Sequence, residues 1–237
     1  MIRFGLLRLR GPVSLEQRAK WVQQTSIGIL RSLGIHYRIQ GTPGKEGLVV
    51  ANHLSYLDIL VLSAAMPCFF VAKVEIGGWP FFGQAARIGG TIFVDRSSLK
   101  SAISVAEQMA ERMKLDIDVP VLLFPEGTST NGQEVIRFHS RLIDPATTLA
   151  VPITTAAIRY VLGDGTPEIE LCWYDDETFV NHMWKVLGVG DFWADVRFGS
   201  TQIYTDRRTA ADATHDEIAA MRAESAAEIA RAGHEVR

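Results

Sequence analysis

The spacing of apolar positions changes several times along the 237-residue chain. Between Ser14 and Leu33, apolar residues recur near helical spacing at Leu15, Ala19, Val22, Ile29, Leu30 and Leu33. Arg18, Lys20 and Gln24 occupy other faces, so the pattern predicts a basic amphipathic helix. Leu48–Ala51 reads as a short apolar strand, and Leu57–Met66 as a helix stopped by Pro67. Cys68–Ala72 is the next expected strand. Glycines between 77 and 90 mark an irregular stretch holding one short helix. Thr91–Val94 reads as a strand, and Ser97–Leu115 as a helix with Ile103, Ala106, Met109 and Met113 on one face. Val119–Phe124 is an expected buried strand. Further strands are expected over Leu149–Thr154, Glu168–Trp173 and Asp195–Ile203, and a helix over Thr178–Leu187. Thr214 and Glu217 have capping-box spacing, which predicts a last, alanine-rich helix running to about Ala232.

Strands that alternate with helices imply an α/β fold: a single domain with a mostly parallel, mixed β-sheet flanked by helices. The composition, 47% apolar and 22% charged, excludes a disordered or fibrous chain. A net charge of −3 argues against a nucleic-acid partner. The charge is unevenly spread, however. Residues 1–38 hold seven basic side chains against Glu16 alone, which points to an anionic membrane surface as partner. No stretch reaches the roughly 18 apolar residues of a spanning helix. The expectation is a protein that lies on the membrane, with residues 1–34 as the association segment and 35–237 as the working domain. The alternative is that the first helix simply packs on the body; the two are compatible. Two cysteines 104 residues apart form no disulfide framework and suit a reducing compartment.

Polar residues gather after three of the expected strands. Asn52, His53 and Asp58 follow the first, Asp95 and Arg96 the second, and Glu126, Gly127 and Thr128 the third. Ligands in open α/β sheets bind beyond the carboxyl ends of strands. Ser55 reads as a helix N-cap, which puts Asp58 at the third helical position with His53 in the loop before it. Side chains tilt toward a helix N-terminus, so Asp58 reaches back to one ring nitrogen and leaves the other free to take a proton. Ser55 and Asp58 as mere caps are the alternative, since His139 and Asp144 repeat the spacing. Arg96 before a helix start suits an anion, and the Gly-Thr loop suits polar head-group atoms. A metal held by His53, Asp58 and His139 lacks ligand spacing and is not expected. The chain also lacks G-x-S-x-G, H-E-x-x-H and G-x-G-x-x-G patterns.

Taken in order, Asn52–Asp58 (N-H-x4-D), Gly90–Arg96 (G-T-I-F-V-D-R), Phe124–Thr128 (F-P-E-G-T) and Val151–Ile153 (V-P-I) resemble the glycerolipid acyltransferase family. The resemblance spans roughly residues 35 to 160. It implies His53 as general base with Asp58 as its partner. It implies Arg96, Glu126, Gly127 and Thr128 as binders of the acceptor's polar part, and Lys73 near the thioester. The implied donor is acyl-CoA or acyl carrier protein as co-substrate, with no bound cofactor. The implied acceptor is a lysolipid such as 1-acyl-glycerol-3-phosphate, on the cytoplasmic face of the inner membrane. Many members follow E-G-T with Arg-Ser; here Ser129 and Thr130 stand instead. That resembles the subset acting on lyso-ornithine lipid or lysophosphatidylcholine. A thioesterase using the same base, and a non-catalytic lipid-binding protein, are the alternatives from other classes.

Overall fold

The structure, a computed structural model, describes residues 12–79, 82–95, 99–190 and 192–235. Arg96 lies outside them, as does the amino end before residue 12. Seven strands form one sheet: β1 (His36–Gln40), β2 (Leu48–Ala51), β3 (Phe69–Lys73), β4 (Ile92–Val94), β5 (Val121–Leu123), β6 (Ile153–Leu162) and β7 (Phe192–Gln202). Their order is β1-β7-β6-β2-β5-β3-β4. All neighbouring pairs are parallel except β6 and β7, so β1 and β7 run against the other five. The helices are α1 (Leu15–Ser32), α2 (Leu57–Ala65), α3 (Phe82–Gly89), α4 (Leu99–Met113), α5 (Ser140–Leu149), α6 (Phe179–Gly188) and α7 (Arg207–Glu235).

Each strand residue points to the face opposite its neighbour's, and β2 shows the result. Val49 and Ala51 join one core layer with residues of α1 and α2. Leu48 and Val50 join the other, with Met109 of α4, Ile143 of α5 and Ile218 of α7. β2 is apolar throughout because both faces are covered, as in parallel sheets generally.

A capping box at Ser14 and Gln17 opens α1. Its buried residues include Ala19, Trp21 and Leu30, and it packs on α2 and α3. Its exposed positions are Gln17, Lys20, Gln24, Gly28, Arg31 and Ser32, none of which carries a large apolar side chain. The apolar stripe of this helix therefore faces the body.

Four expectations need correction. Leu149–Thr154 is not a strand: α5 runs through Leu149, Ala150 turns the chain at φ 49°, and β6 starts at Ile153. Pro152 leads into it, its carbonyl accepting the Leu48 N–H at 2.9 Å. Glu168–Leu171 is a 3-10 turn, because the N–H groups of Glu170 and Cys172 bond back to Pro167 and Ile169. The last helix starts at Arg207, where Asp206 accepts the N–H groups of Arg208 and Thr209. Thr214 lies inside it, its hydroxyl donating to the Ala210 carbonyl at 2.6 Å, and Glu217 bonds Ser200 and Thr155 instead. Ser55 is not the N-cap of α2; Tyr56 holds that place and Asp58 is the second helical residue.

Candidate active site

β2 and β5 are neighbours, so the loops leaving them meet. The register pairs Val50 with Leu123, which sets His53 level with the turn around Glu126. β4 lies three strand spacings from β2, roughly 14 Å along the sheet. Between them β3 ends in Lys73, which is exposed and level with Val94. Asp95, also exposed, follows β4 at the same end.

At the start of α2 the Asp58 carboxylate is fully buried. Its Oδ2 accepts the Leu54 N–H at 2.6 Å, the Ser55 N–H at 3.0 Å and His53 Nδ1 at 2.8 Å. Its Oδ1 accepts the Tyr160 hydroxyl at 2.5 Å. An ionised carboxylate only accepts, so His53 Nδ1 carries its hydrogen. Nε2 presents its lone pair, with no protein partner among the described residues. The imidazole side chain is 17% exposed, and its face stacks on Phe124 at 4.1 Å and 12°. Such a pairing orients a base and stabilises the imidazolium that forms on proton transfer.

The main chain of His53 is fixed from the β5 loop. Its N–H donates to Glu126 Oε1 at 2.8 Å, and its carbonyl accepts from Thr130 N at 2.9 Å and Thr130 Oγ1 at 3.3 Å. Burial pushes the Glu126 carboxyl up to about 7, against the pull of the His53 and Ile136 N–H groups. Gly127 has φ 75°, a left-handed conformation that favours glycine, and its N–H closes a turn onto Phe124 O at 3.1 Å. Thr128 is exposed beside it. Asn52 serves the sheet: its amide exchanges hydrogen bonds with Ile158 N and O on β6.

Of the site residues read from the sequence, the structure brings His53, Asp58, Glu126, Gly127 and Thr128 together. Lys73 sits at the same sheet end two strands away. Arg96 is outside the described residues. His139 is exposed at the start of α5, where its N–H donates to Pro125 O. The reading from sequence missed Tyr160 and Thr130. One signal was available for Tyr160: a tyrosine alternating with Ile158 and Leu162 on an inward strand face needs a hydrogen-bond partner.

An apolar cavity of about 120 Å³ lies beside this pole, between α1, α2, α3 and β3. Val22, Ile29, Leu60, Phe70, Ala72 and Phe179 are among its walls. Phe70 stacks on Phe124 at 6.3 Å, and Phe124 in turn on His53, so an aromatic relay joins cavity to base. Phe82 lines the cavity and is itself 37% exposed. The volume is below the roughly 300–1,000 Å³ of most ligand pockets. Its apolar lining suits hydrocarbon rather than a polar head group.

The sequence profile of the Acyltransferase family matches residues 34–159. Over 157 residues the chain is 34% identical to the lyso-ornithine lipid O-acyltransferase of Pseudomonas aeruginosa, covering 66% of this chain and 59% of that one. Over 149 residues it is 32% identical to the 1-acyl-sn-glycerol-3-phosphate acyltransferase of Neisseria meningitidis, with shares of 61% and 57%. The chain thus spans less than two thirds of the length of either relative. The crystal structure of PlsC from Thermotoga maritima, a 1-acyl-sn-glycerophosphate acyltransferase, superposes with a TM-score of 0.71 at 16% identity. The superposition covers 94% of this chain and 88% of that one, and the likeness establishes the fold. With the His53–Asp58 pair and the Phe124–Thr128 loop both inside the matched span, this chain belongs to the Acyltransferase family.

Proposed function

We propose that this protein is a lysolipid O-acyltransferase of phospholipid biosynthesis, and that His53 is its general base. One observation carries the reading: the free Nε2 edge of a carboxylate-oriented imidazole stands beside an aromatic wall shared with an apolar slot. The acceptor hydroxyl gives its proton to Nε2 while its oxygen attacks the carbonyl carbon of an acyl thioester. The tetrahedral oxyanion collapses, the C–S bond breaks, and the thiolate leaves and regains a proton from the imidazolium. A base placed this way contributes roughly 10²–10⁴-fold. The thioester is carried by CoA or acyl carrier protein, and no bound cofactor enters the scheme.

Glu126, Gly127, Thr128, Arg96 and Lys73 form the acceptor side of this reading. Glu126 spends one oxygen on His53, so it supports the base as well as facing the acceptor loop. Thr130 is spent on the His53 carbonyl, which leaves Thr128 and Ser129 as the loop hydroxyls for a head group. The acceptor is 1-acyl-glycerol-3-phosphate or, since small hydroxyl residues follow E-G-T, lyso-ornithine lipid.

The proposed place of work is the cytoplasmic face of the inner membrane, peripherally bound. No helix among the described residues is long and apolar enough to cross a membrane. Val180, Trp184 and Leu187 form an exposed apolar stripe on α6, and the neighbouring Phe179 lines the cavity. That stripe and the basic amino end supply membrane contact in this reading.

The test is a panel. Purified protein, acyl-CoA and mixed vesicles carrying lysophosphatidate, lyso-ornithine lipid or lysophosphatidylcholine are assayed by thiol release and lipid mass spectrometry. Acylated product with one acceptor is expected. Thiol release with free fatty acid and no acylated lipid would make the protein a thioesterase. No thiol release with any acceptor, alongside tight vesicle binding, would make it a lipid-binding protein.

A further inference from the structure

Among the described residues a single donor holds the Oδ1 side of Asp58, and it comes from outside the span matched by the family. Tyr160 stands on β6 one residue past that span. Its ring is buried and its hydroxyl donates to Asp58 Oδ1 at 2.5 Å. The three other donors to this carboxylate all converge on Oδ2. Oδ1 would be a buried acceptor without a donor if the tyrosine hydroxyl were removed, and the carboxylate plane would lose the contact that fixes its rotation.

Tyr160 is itself clamped. Its main-chain N–H donates to Glu168 Oε1 at 2.7 Å. Glu168 Oε2 accepts Arg222 Nη2 at 2.9 Å, and Arg222, from α7, is only 4% exposed. The same guanidinium donates to Ile158 O on β6 and, at 2.7 Å, to Gly132 O at the end of the acceptor loop. Tyr160 is thus tied through β6 and α7 to the loop that holds His53.

We propose that Tyr160 is a positioning residue for the His53–Asp58 pair, holding the carboxylate in the plane that serves Nδ1, and that the Glu168–Arg222 clamp keeps it in register. This rests on the reading of His53 as base. Burial raises the tyrosine hydroxyl well above its usual range, as does Asp58, so its proton stays available for donation. The titratable and charged groups facing Asp58 are His53, Tyr160, Glu126 and Cys172, with Glu168 and Arg222 beyond Tyr160.

The test is Tyr160→Phe, measured beside His53→Ala, Asp58→Asn and the Tyr160→Phe/Asp58→Asn double variant. Tyr160→Phe should lower kcat about 10-fold, with KM for donor and acceptor unchanged within about twofold. Losing a donor concentrates charge on Asp58 and stabilises the imidazolium, so the acid limb of the pH–rate profile should rise by roughly half a unit. In the Asp58→Asn background the tyrosine effect should vanish, because its target charge is gone. Replacing Tyr160 by 3-fluorotyrosine keeps the shape and strengthens donation. The acid limb should then fall, and the ¹⁵N titration of His53 should follow it without any need for turnover. A Tyr160→Phe enzyme with wild-type kcat, or an equal loss in the Asp58→Asn background, would overturn the proposal. Should Tyr160→Phe not fold, an unmoved His53 titration in the fluorotyrosine protein would do the same. A fully active His53→Ala protein would remove the base assignment itself. A dead His53→Ala with an unaffected Tyr160→Phe removes only the role of Tyr160.

Discussion

Asp58 and Phe124 both touch the His53 ring, and they are held in opposite ways. Asp58 is fully buried and accepts four hydrogen bonds that fix both oxygens. Phe124 belongs to an aromatic wall backed by a void, where Ser63 Oγ lines the space with no hydrogen-bond partner among the described residues. On the polar side both carboxylate oxygens have defined partners, so small changes remove whole interactions. On the apolar side the contacts are many, weak and non-directional, so changes of volume alter selectivity before they alter the reaction.

The largest effects should therefore come from the polar side. His53→Ala removes the base, and acyl transfer should fall about 10³-fold or more with an unchanged circular dichroism spectrum. Asp58→Asn keeps the shape but removes the charge: its carbonyl oxygen can take the place of Oδ2 and still accept from His53 Nδ1, while its NH₂ meets the Tyr160 hydroxyl, so the imidazolium loses its counter-charge. A loss of about 10²-fold in kcat is expected, with little change in acceptor KM. If Asp58→Asn kept kcat and raised only KM, the pair would be a binding device and the contrast between the two sides would fail.

A smaller and differently shaped effect should come from the slot. Ala72 lines it from β3, on the same strand face as Phe70. Ala72→Leu fills part of it. Each methylene excluded from an apolar site forfeits about 0.8 kcal/mol, or roughly three- to fourfold in kcat/KM. Activity should fall in steps with acyl length on long-chain substrates and stay near wild type on short ones. An equal loss at all chain lengths would mean that the cavity does not seat the chain.

The sheet was legible wherever a strand was uniformly apolar, because burial on both faces leaves a continuous run, as in Leu48–Ala51. β1 was not: its residues, HYRIQ, are half-exposed at the sheet edge, with Arg38 paired to Asp195 on β7. The Glu168–Leu171 turn imitated a strand because acidic and apolar residues alternate in it. The His53–Asp58 contact was readable from local helix geometry, even though the cap itself lies one residue later. Tyr160 is 102 residues from Asp58 and Arg222 is 90 from Gly132. No local rule brings such pairs together; the strand order and the path of α7 do.

Glu126 tests the contrast most finely, since it bonds the polar side yet sits in surroundings poor in water. Its carboxyl has an ordinary value of 4.5 and stands at about 7 in the folded chain, burial being the main cause. The folded state therefore holds this proton more tightly than the unfolded one. Its contribution to stability is complete below about pH 4.5 and is lost as pH rises through 7. Glu126→Gln does not titrate, and its carbonyl oxygen can still accept the His53 N–H. The variant should gain stability relative to wild type as pH climbs across that window, by on the order of 3 kcal/mol at the plateau, read as a widening gap in melting temperature. A constant gap would show that Glu126 is as well solvated as an exposed carboxylate. The His53 loop would then be held by an ordinary ion at the rim rather than by a desolvated one inside the crevice.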